Sequence, residues 1–315
     1  MTSPNPIHCR VLRQLALSLA TVPTRSAHLA AASGLVQVGP WLYVVADDEH
    51  QLGVFARDDD APGTLLRLFE GELPDPAEPR KRVKPDLESL LALPPGRHWP
   101  HGALLALPSA SRVHRCRAAL LRLGASGMPE SAARVIDMQG FFAPLRAHVS
   151  ALNIEGAAIV GGAIVLFQRG NHATATNACL RFDYAAFAAG LACGRVDALA
   201  PLRIDVHDLG AIDGSPLAFS DACALMDGRI VFCAVAEDTG DPYLDGRFRG
   251  AAIGILDADG MLACLQRIDA PAKVEGIAAQ VVDGGIDVLM VSDADDASVA
   301  GLLLEARVVD APWVR

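Results

Sequence analysis

The most informative segment of the chain is Asn153-Ile-Glu-Gly-Ala-Ala-Ile-Val-Gly-Gly-Ala-Ile-Val-Leu-Phe167. It contains an acidic residue, a small residue and an apolar strand, followed by a glycine turn and a second apolar strand. The same order recurs, in stronger or weaker form, from five positions separated by 54 to 67 residues: Ser33, Glu88, Glu155, Asp221 and Glu275. This spacing suits a four-stranded antiparallel blade with its loops, so the repeat predicts an all-β chain folded as a β-propeller.

The number of copies predicts five four-stranded blades in a single domain that spans residues 1–315. The last unit provides only three strands (275–282, 286–292 and 299–309), whereas an apolar segment, 8–18, precedes the first unit. We expect this N-terminal strand to complete the last blade, because a closed ring leaves no open sheet edge.

Two other architectures stay open at the level of sequence. A sixth blade would require an extra unit in 110–150 or 170–215, where no further copy of the repeat is found. A mostly helical or α/β fold would use alanine-rich segments such as 111–124 and 184–197. Turn spacing favours strands over most of the chain, and the proline-rich segment 72–85 is predicted to be a surface loop between the first two blades.

The composition excludes several classes of protein. Hydrophobic residues make up 51% and charged residues 20% of the chain, which is too apolar for a disordered protein. A formal net charge of −10 argues against a nucleic-acid partner, and no apolar run is long enough to span a membrane. Seven scattered cysteines fit neither a disulfide framework nor a zinc site and indicate a reducing compartment, so we expect a cytoplasmic monomer.

The repeated position provides the first candidate site. The first strand of each propeller blade lines the central channel, so the five copies converge on one axis, and four of the five residues are carboxylates. Their mutual repulsion requires raised pKa values, nearby cations such as Lys84, Arg169 and Lys273, or a bound divalent ion. Because oxygen ligands in a roomy site favour a hard cation, we expect calcium to be bound by Glu88, Glu155, Asp221 and Glu275. In the alternative, these acids only fasten neighbouring blades together.

A second group of polar residues is predicted on one rim of the disc, where the second strands end. Candidate residues for binding a small molecule or a protein partner are Asp47, Asn171, Glu237 and Asp293. Arg169 and His172 are the candidate catalytic residues, because a guanidinium binds negative charge and an imidazole transfers protons near neutral pH. In the alternative, this cluster belongs to an ordinary solvated loop.

The repeated phrase resembles the signature of the phytase-like and esterase-like β-propeller proteins and of the related bacterial SdiA-regulated group. The segments that carry the resemblance are Asp86-Leu-Glu88-Ser-Leu, Asn153-Ile-Glu155-Gly-Ala-Ala, Val274-Glu275-Gly-Ile-Ala and Val291-Ser-Asp293. The resemblance implies a disc-shaped propeller, an acidic channel that is often occupied by calcium, and hydrolysis of phosphoesters or esters in some members.

Two functional hypotheses follow from these residues. In the first, the protein is a metal-dependent hydrolase of a phosphoester, ester or lactone, in which calcium activates water, Arg169 binds developing negative charge and His172 transfers a proton. In the second, it is a non-catalytic propeller that binds a small molecule or a protein at its rim, with structural acids in its channel. The chain contains no Gly-x-Ser-x-Gly motif, no phosphate-binding loop and no dinucleotide-binding glycine pattern, which argues against those enzyme classes.

Overall fold

The computed structural model describes residues 5–18, 27–149, 151–170, 176–238 and 246–309. Their strands form five antiparallel sheets, and the first strand of each sheet contacts the first strands of two other sheets in a closed circle. The chain is therefore a five-bladed β-propeller, as the repeat predicts. Within the described part of the chain, no helix has the length and apolar character needed to cross a bilayer.

The blades follow one another along the chain, except for the first strand, β1 (Cys9–Gln14), which joins the last blade. Blade 1 contains β2 (Ala32–Val38), β3 (Trp41–Ala46), β4 (Gln51–Ala56) and β5 (Thr64–Arg67). Blade 2 contains β6 (Leu87–Leu93), β7 (Ala103–Pro108), β8 (Arg117–Arg122) and β9 (Arg134–Asp137). Blade 3 contains β10 (Ile154–Val160), β11 (Ala163–Gln168), β12 (Asn177–Asp183) and β13 (Arg203–His207).

Blade 4 has a fifth, two-residue strand on the free edge of its first long strand. It contains β14 (Ala211–Ile212), β15 (Ser215–Ala224), β16 (Ile230–Asp238), β17 (Arg247–Leu256) and β18 (Leu262–Ile268). Blade 5 contains β19 (Lys273–Val282), β20 (Gly285–Asp293), β21 (Leu302–Val309) and β1. The inner strands, which start each long sheet at the axis, are β2, β6, β10, β15 and β19.

The ring is closed by β1, which pairs antiparallel with β21 and so joins residues almost 300 positions apart. Arg10 lies opposite Glu305 in this register, and Cys9 lies opposite Ala306. The predicted closure by the N-terminal strand is therefore confirmed. Because β1 covers the edge of β21, the last blade has the same four-stranded form as the others.

Three short helices connect strands: α1 (Ala77–Val83), α2 (Gln139–Leu145) and α3 (Tyr184–Cys193). The predicted surface loop 72–85 thus contains a helix, whereas the alanine-rich segment 111–124 contains β8. The helix α3 has local causes: the side chain of Asp183 accepts the Ala186 N–H at 2.7 Å, and Gly194 ends the helix with a φ of 85°.

The core lies between the blades, where the faces of neighbouring sheets pack together. The strands β7 and β11 are buried at every position, which explains why they read as continuous apolar runs without alternation. Aromatic rings reinforce the packing between blades 3 and 4, where Phe219 contacts Phe167 and Phe232 in edge-on geometry.

Every inner strand contains a β-bulge, and the bulged residue is Ser33, Glu88, Glu155, Ser220 or Glu275. In four blades this is the predicted repeat position. In blade 4 the prediction of Asp221 is one residue out, because the bulge falls at Ser220. A bulge places two residues opposite one, so the sequence alone does not fix which of two adjacent polar residues occupies it.

Candidate functional site

The bulged residues divide into two serines and three glutamates. Ser33 donates a hydrogen bond to the carbonyl of Leu87 at 2.5 Å, and Ser220 donates one to the carbonyl of Val274 at 2.8 Å. Each serine therefore fastens its blade to the next one along the chain. This is the structural role that the fastener alternative assigned to the repeated position, and it is carried here by the serines.

The three bulged glutamates belong to a larger group of charged residues, which we call the channel cluster. It lies at the end of the disc where the inner strands begin. The second strands end there too, because they run antiparallel to the inner strands: Lys273 pairs with Asp293, and Ile154 pairs with Gln168. The carboxyl groups are Asp47, Asp86, Glu88, Glu155, Glu237, Glu275, Asp293 and Asp295, and the cations are Lys84, Arg115, Arg169 and Lys273.

Arg169 joins blades 3, 4 and 5 at the centre of the cluster. Its guanidinium lies 3.4 Å from Glu155 and 3.5 Å from Glu275, and it also contacts Glu237. Burial alone would lower the pKa of Arg169, but these carboxylates outweigh it and raise the pKa. The arginine side chain is only 6% exposed, and its charge is neutralised by the carboxylates of the protein.

Lys273 is a second buried cation with several partners. Its Nζ atom lies 3.3 Å from both Glu237 and Glu275, 3.1 Å from Asp295 and 3.8 Å from Asp293. Burial would lower the pKa of Lys273, but the carboxylates reverse that effect and hold it well above its usual range. Nearby cations were one of three options that the sequence left open: Arg169 and Lys273 contact the repeated glutamates, whereas Lys84 contacts Asp47 and Asp86.

The blade 1 and blade 2 side of the cluster is organised around Asp86. Lys84 lies 3.1 Å from this carboxylate and also contacts Asp47, while Arg115 donates to Asp86 at 2.7 Å. Ser109 donates a further hydrogen bond to Asp86. Burial would raise the pKa of Asp86, but Lys84 and Arg115 outweigh it and lower the pKa, so this group stays ionised.

Glu88 has a different environment from Asp86. It makes no hydrogen bond or ion pair with the described residues, yet one of its oxygens lies within 4.8 Å of oxygens of Asp47 and Asp86. Burial and the carboxylates of Glu155 and Asp86 hold the pKa of Glu88 well above its usual range. The pKa values of the two neighbouring groups are therefore displaced in opposite directions: that of Asp86 is lowered and that of Glu88 is raised.

Burial also raises the pKa of three other carboxyl groups in the cluster: Glu155, Glu275 and Asp293. Burial raises the pKa of Glu155 to about 7, although Arg169 acts in the opposite direction. Burial likewise raises the pKa of Asp293 to about 8, opposed by Lys273. Asp295 is 30% exposed, and Asp47 and Asp293 are each 19% exposed, so these three groups form the accessible part of the cluster.

Asp221 lies one residue beyond its bulge, at a position held by glycine or serine in the other blades: Gly34, Ser89, Gly156 and Gly276. In blade 3 this position excludes a side chain, since a Cβ on Gly156 would lie 2.9 Å from the nitrogen of Ala222 in the next blade. The Oδ2 atom of Asp221 accepts the Ile277 N–H at 2.9 Å, which links blade 4 to blade 5. Burial holds the pKa of Asp221 well above its usual range.

The structure brings together most of the predicted site residues. Glu88, Glu155 and Glu275 lie in the channel cluster together with the predicted rim residues Asp47, Glu237 and Asp293. Asn171 and His172 lie outside the described residues, so the roles predicted for them stay predictions. The same holds for the assignment of calcium ligands and for Arg169 as a catalytic group.

Sequence reasoning missed Asp86, Ser109 and Arg115 as members of the cluster. Asp86 had a local signal, because it lies two residues before Glu88 within the repeated phrase. Arg115 had none, since it comes from the connection between β7 and β8 and reaches Asp86 across 29 positions.

A separate cavity of about 1170 Å³ opens towards the opposite end of the inner strands. Its walls include small and apolar residues that follow the bulges, such as Ala157 and Ala222. The charged residues at its edge include two ion pairs, Arg10 with Glu305 and Arg307 with Asp287. Because the perturbed carboxyl groups lie at the other end, the candidate site is the channel cluster.

The comparisons with known proteins concern family and fold. A model described as "Family of unknown function (DUF6929)" matches residues 28–308. A comparison with curated proteins finds no match. Among solved structures, the chain is similar to the catalytic domain of a GH62 α-L-arabinofuranosidase from Coprinopsis cinerea, with a TM-score of 0.53, 9% identity and coverage of 96% of this chain and 98% of that chain.

A second similar structure is an α-L-arabinofuranosidase from Podospora anserina in complex with cellotriose. Its TM-score is 0.50 at 11% identity, and 96% of each chain is covered. At this identity the two similarities show the propeller fold and no more. The resemblance to phytase-like and esterase-like propellers stays a prediction beyond the fold itself.

Proposed function

The chain belongs to the family of unknown function (DUF6929), and we propose that it is a hydrolase that breaks a C–O bond at the channel cluster, with Glu88 as proton donor. The observation that carries this proposal is the pairing of Glu88 with Asp86. Two carboxyl groups within 4.8 Å of each other have pKa values displaced in opposite directions. Such divergence is typical of acid–base catalysis by carboxyl pairs.

The roles follow from the contacts of each group. Glu88 donates its proton to the oxygen of the leaving group, and Asp47, which is partly exposed, accepts a proton from the attacking water. The attacking water thus supplies a hydroxyl group to one product, and Glu88 supplies a proton to the other. The protein returns to its initial state when the proton taken up by Asp47 passes to Glu88 through solvent. Lys84 is a positioning residue, because its ammonium contacts both Asp47 and Asp86.

The choice of substrate class follows from the proposed reaction, the cleavage of a C–O bond. The two similar structures are α-L-arabinofuranosidases, whose substrates contain a C–O bond between a sugar and its leaving group. We therefore propose an ester, a lactone or a glycoside as the substrate. A half-buried glutamic acid whose pKa is raised well above its usual range suits the protonation of a leaving oxygen in all three.

The test is hydrolysis of methyl acetate, methyl butyrate and methyl α-L-arabinofuranoside, whose alkoxide leaving groups require protonation, by the wild type and by Glu88→Gln. Loss of the proton donor is expected to lower kcat at least 100-fold for the active substrate, with little change in KM or in Tm. The matched control is Glu130→Gln, an exposed acid paired with Arg122, which should retain full activity.

Two results would contradict the proposal. If the wild type hydrolyses none of the three compounds faster than buffer does, the non-catalytic binding propeller becomes the better account. If Glu88→Gln retains wild-type turnover, another group supplies the proton. A pH profile adds a further check, because protonated Glu88 predicts that activity declines as the pH rises through the pKa of this residue.

A second candidate function is the binding of a divalent cation, which the donor set of Asp47, Asp86 and Glu88 favours. One oxygen from each lies within 4.8 Å of the other two, and oxygen-only donors suit calcium. Lys84 already contacts two of these carboxylates, so a cation would have to displace its ammonium. Calorimetric titration of EGTA-treated protein with Ca²⁺ tests this function: heat that is absent in Glu88→Gln supports it, and no heat refutes it.

A further inference from the structure

The outer strand of blade 3, β13, carries an exposed apolar stripe. Leu202, which directly precedes the strand, is 66% exposed, Ile204 is 37% exposed and Val206 is 67% exposed. Successive side chains of a strand point to opposite faces of its sheet, so these three residues lie on one face of blade 3. Large apolar residues are commonly exposed one at a time, whereas three on one strand form a continuous patch.

The backbone of β13 also has a free edge. The strand pairs with β12 on one side, and within the described residues its other side makes no backbone hydrogen bond. Tyr184 N–H donates to the carbonyl of Gly162, and alternation along the ladder from this bond gives the direction of each backbone group. Arg203 and Asp205 direct their N–H and C=O groups towards β12, whereas Ile204 directs its own outward. An outward N–H and C=O can pair with a further strand.

The outer strands of the other blades are protected in ways that β13 is not. Other segments of the chain bridge the edges of β9 and β18, where Arg195 pairs with Asp137 and Ile7 with Ile268. A bulge interrupts β1, and β5 is only four residues long. Covered edges, bulges and short strands are devices that prevent strands of different molecules from pairing. Among the described residues, β13 has a regular register of five pairs and no bridge on its outer edge.

The sequence of this edge is self-complementary. It alternates apolar and charged residues, with opposite charges on the two sides of Ile204: Leu202, Arg203, Ile204, Asp205 and Val206. When two such strands pair antiparallel about Ile204, Arg203 lies opposite Asp205 of the partner subunit, and Leu202 lies opposite Val206 of the partner subunit. Opposite charges and apolar side chains that face each other across two strands stabilise the pairing.

The existing contacts of the charged residues are compatible with this arrangement. Arg203 is 46% exposed, and its Nε atom donates to Asp205 of the same chain at 2.5 Å. A guanidinium has five N–H donors, so an arginine that holds one aspartate can contact a second. Each Arg203 would then lie between two aspartates, one from each copy of the chain.

From the exposed stripe, the free edge and its self-complementary charges, we propose that two copies of this chain associate through β13, as antiparallel strands related by a two-fold axis at Ile204. The two blades 3 then continue as one sheet across the interface. A contact made through one strand from each copy is small, so the dimer is weak, with a Kd of about 10–100 µM. The proposal is independent of the hydrolase site, and it replaces the expectation of a monomer, which took no account of this edge.

The test is sedimentation velocity from 5 to 300 µM protein. The wild type is expected to shift from monomer to dimer over this range. Ile204→Lys places two ammonium groups opposite each other at the axis and should weaken self-association at least tenfold. The matched control is Val11→Lys, which changes an exposed valine on the outer strand of blade 5 and should leave the Kd within twofold of the wild type.

A mixing experiment tests the two-fold register itself. Ile204→Glu should also be monomeric, because two carboxylates then meet at the axis. In an equimolar mixture with Ile204→Lys, each introduced carboxylate lies opposite an introduced ammonium, so the mixture should associate at least fivefold more tightly than either variant alone. Tm is measured for both variants. If either does not fold, Val206→Lys, at a more exposed position, replaces it in the concentration series and should weaken self-association at least fivefold.

Each outcome decides the proposal. A concentration-dependent dimer that Ile204→Lys disrupts and the mixture restores supports pairing through β13. A wild type that stays monomeric at 300 µM overturns it. Dimerisation of Ile204→Lys with the affinity of the wild type overturns it too, because association then uses another surface. A mixture that stays monomeric, although both variants fold, contradicts the pairing about Ile204.

Discussion

Removal of the Arg169 charge should destabilise the protein more than any change to a surface ion pair. In Arg169→Met a side chain of similar length replaces the guanidinium, so packing is largely retained while three carboxylates lose their shared cation. At about 3.5 Å and an effective dielectric near 20, each pair contributes roughly 5 kcal/mol of attraction, which the burial of the charges largely offsets. Breaking a buried pair costs about 3–5 kcal/mol net, and this is the expected loss at pH 8.

The loss should be smaller at pH 5, because the carboxyl groups left without a cation can take up protons. Glu155 already has a pKa of about 7 in the presence of Arg169, and removal of the arginine raises it further. Urea unfolding at pH 5 and pH 8, followed by tryptophan fluorescence, gives the free energy of unfolding at each pH. Arg169→Lys, which keeps the positive charge, should recover part of the loss at pH 8.

The control is Arg307→Met, whose partner Asp287 lies 2.7 Å away on the surface. The arginine side chain is 46% exposed, and pairs of this kind contribute about 0–1 kcal/mol. A loss below about 1 kcal/mol for Arg169→Met at pH 8 would refute the reasoning, and so would an equal loss at both pH values. Either result would mean that the cluster does not depend on its central cation.

Two further predictions concern single residues. The pKa of Glu155 is raised from 4.5 to about 7, so the folded state holds this proton more tightly than the unfolded state does. The free energy of unfolding that this group contributes is therefore lost as the pH rises from about 4.5 to 7. This loss is on the order of 3 kcal/mol, and urea midpoints at several pH values should show a smaller decline in Glu155→Gln. Ser220→Ala should lower the free energy of unfolding by about 1–2 kcal/mol, because the buried carbonyl of Val274 loses its donor.

Each of these two predictions has a clear contradicting result. Equal pH dependence in the wild type and in Glu155→Gln would show that this carboxyl group does not hold the proton. For the serine, the control is Ser298→Ala, which removes an exposed hydroxyl bonded to Asp296 and should cost less than about 0.5 kcal/mol. Equal losses in the two serine variants would show that Ser220 does not fasten the blades.

The fold was predictable because its determinants repeat along the chain. An acid followed by a small residue and an apolar strand recurs near Glu88, Glu155 and Glu275, and the spacing between copies matches one blade. Closure by β1 followed from counting strands, since the last unit lacked one. The short helix α1 was not predicted because prolines such as Pro76 and Pro79 are typical of loops. Proline is nevertheless compatible with the first turn of a helix.

The candidate site was only partly predictable, because its members come from different distances along the chain. Glu155 lies in β10 and Arg169 directly follows β11, its partner strand in one hairpin, and such neighbours can be inferred from the repeat. The contact of Arg169 with Glu275 spans 106 positions and exists only because the ring closes. The direction of a pKa shift depends on such contacts, so the contrast between Asp86 and Glu88 has no signature in the sequence.

The misassigned register in blade 4 shows how a propeller limits the charge at its axis. Five acids at the bulges would place five carboxylates around one channel, with no hydrogen-bond donor among them. Ser33 and Ser220 replace two of the five and donate to the carbonyls of the next blades, so they lower the charge and link the ring at once. The three glutamates that remain are the positions at which the repeat keeps its acid, and Glu88 is the one among them that forms no ion pair within the described residues. Departure from the repeat therefore marks the structural positions in this ring, and the retained acid that forms no ion pair marks the position proposed for the chemistry.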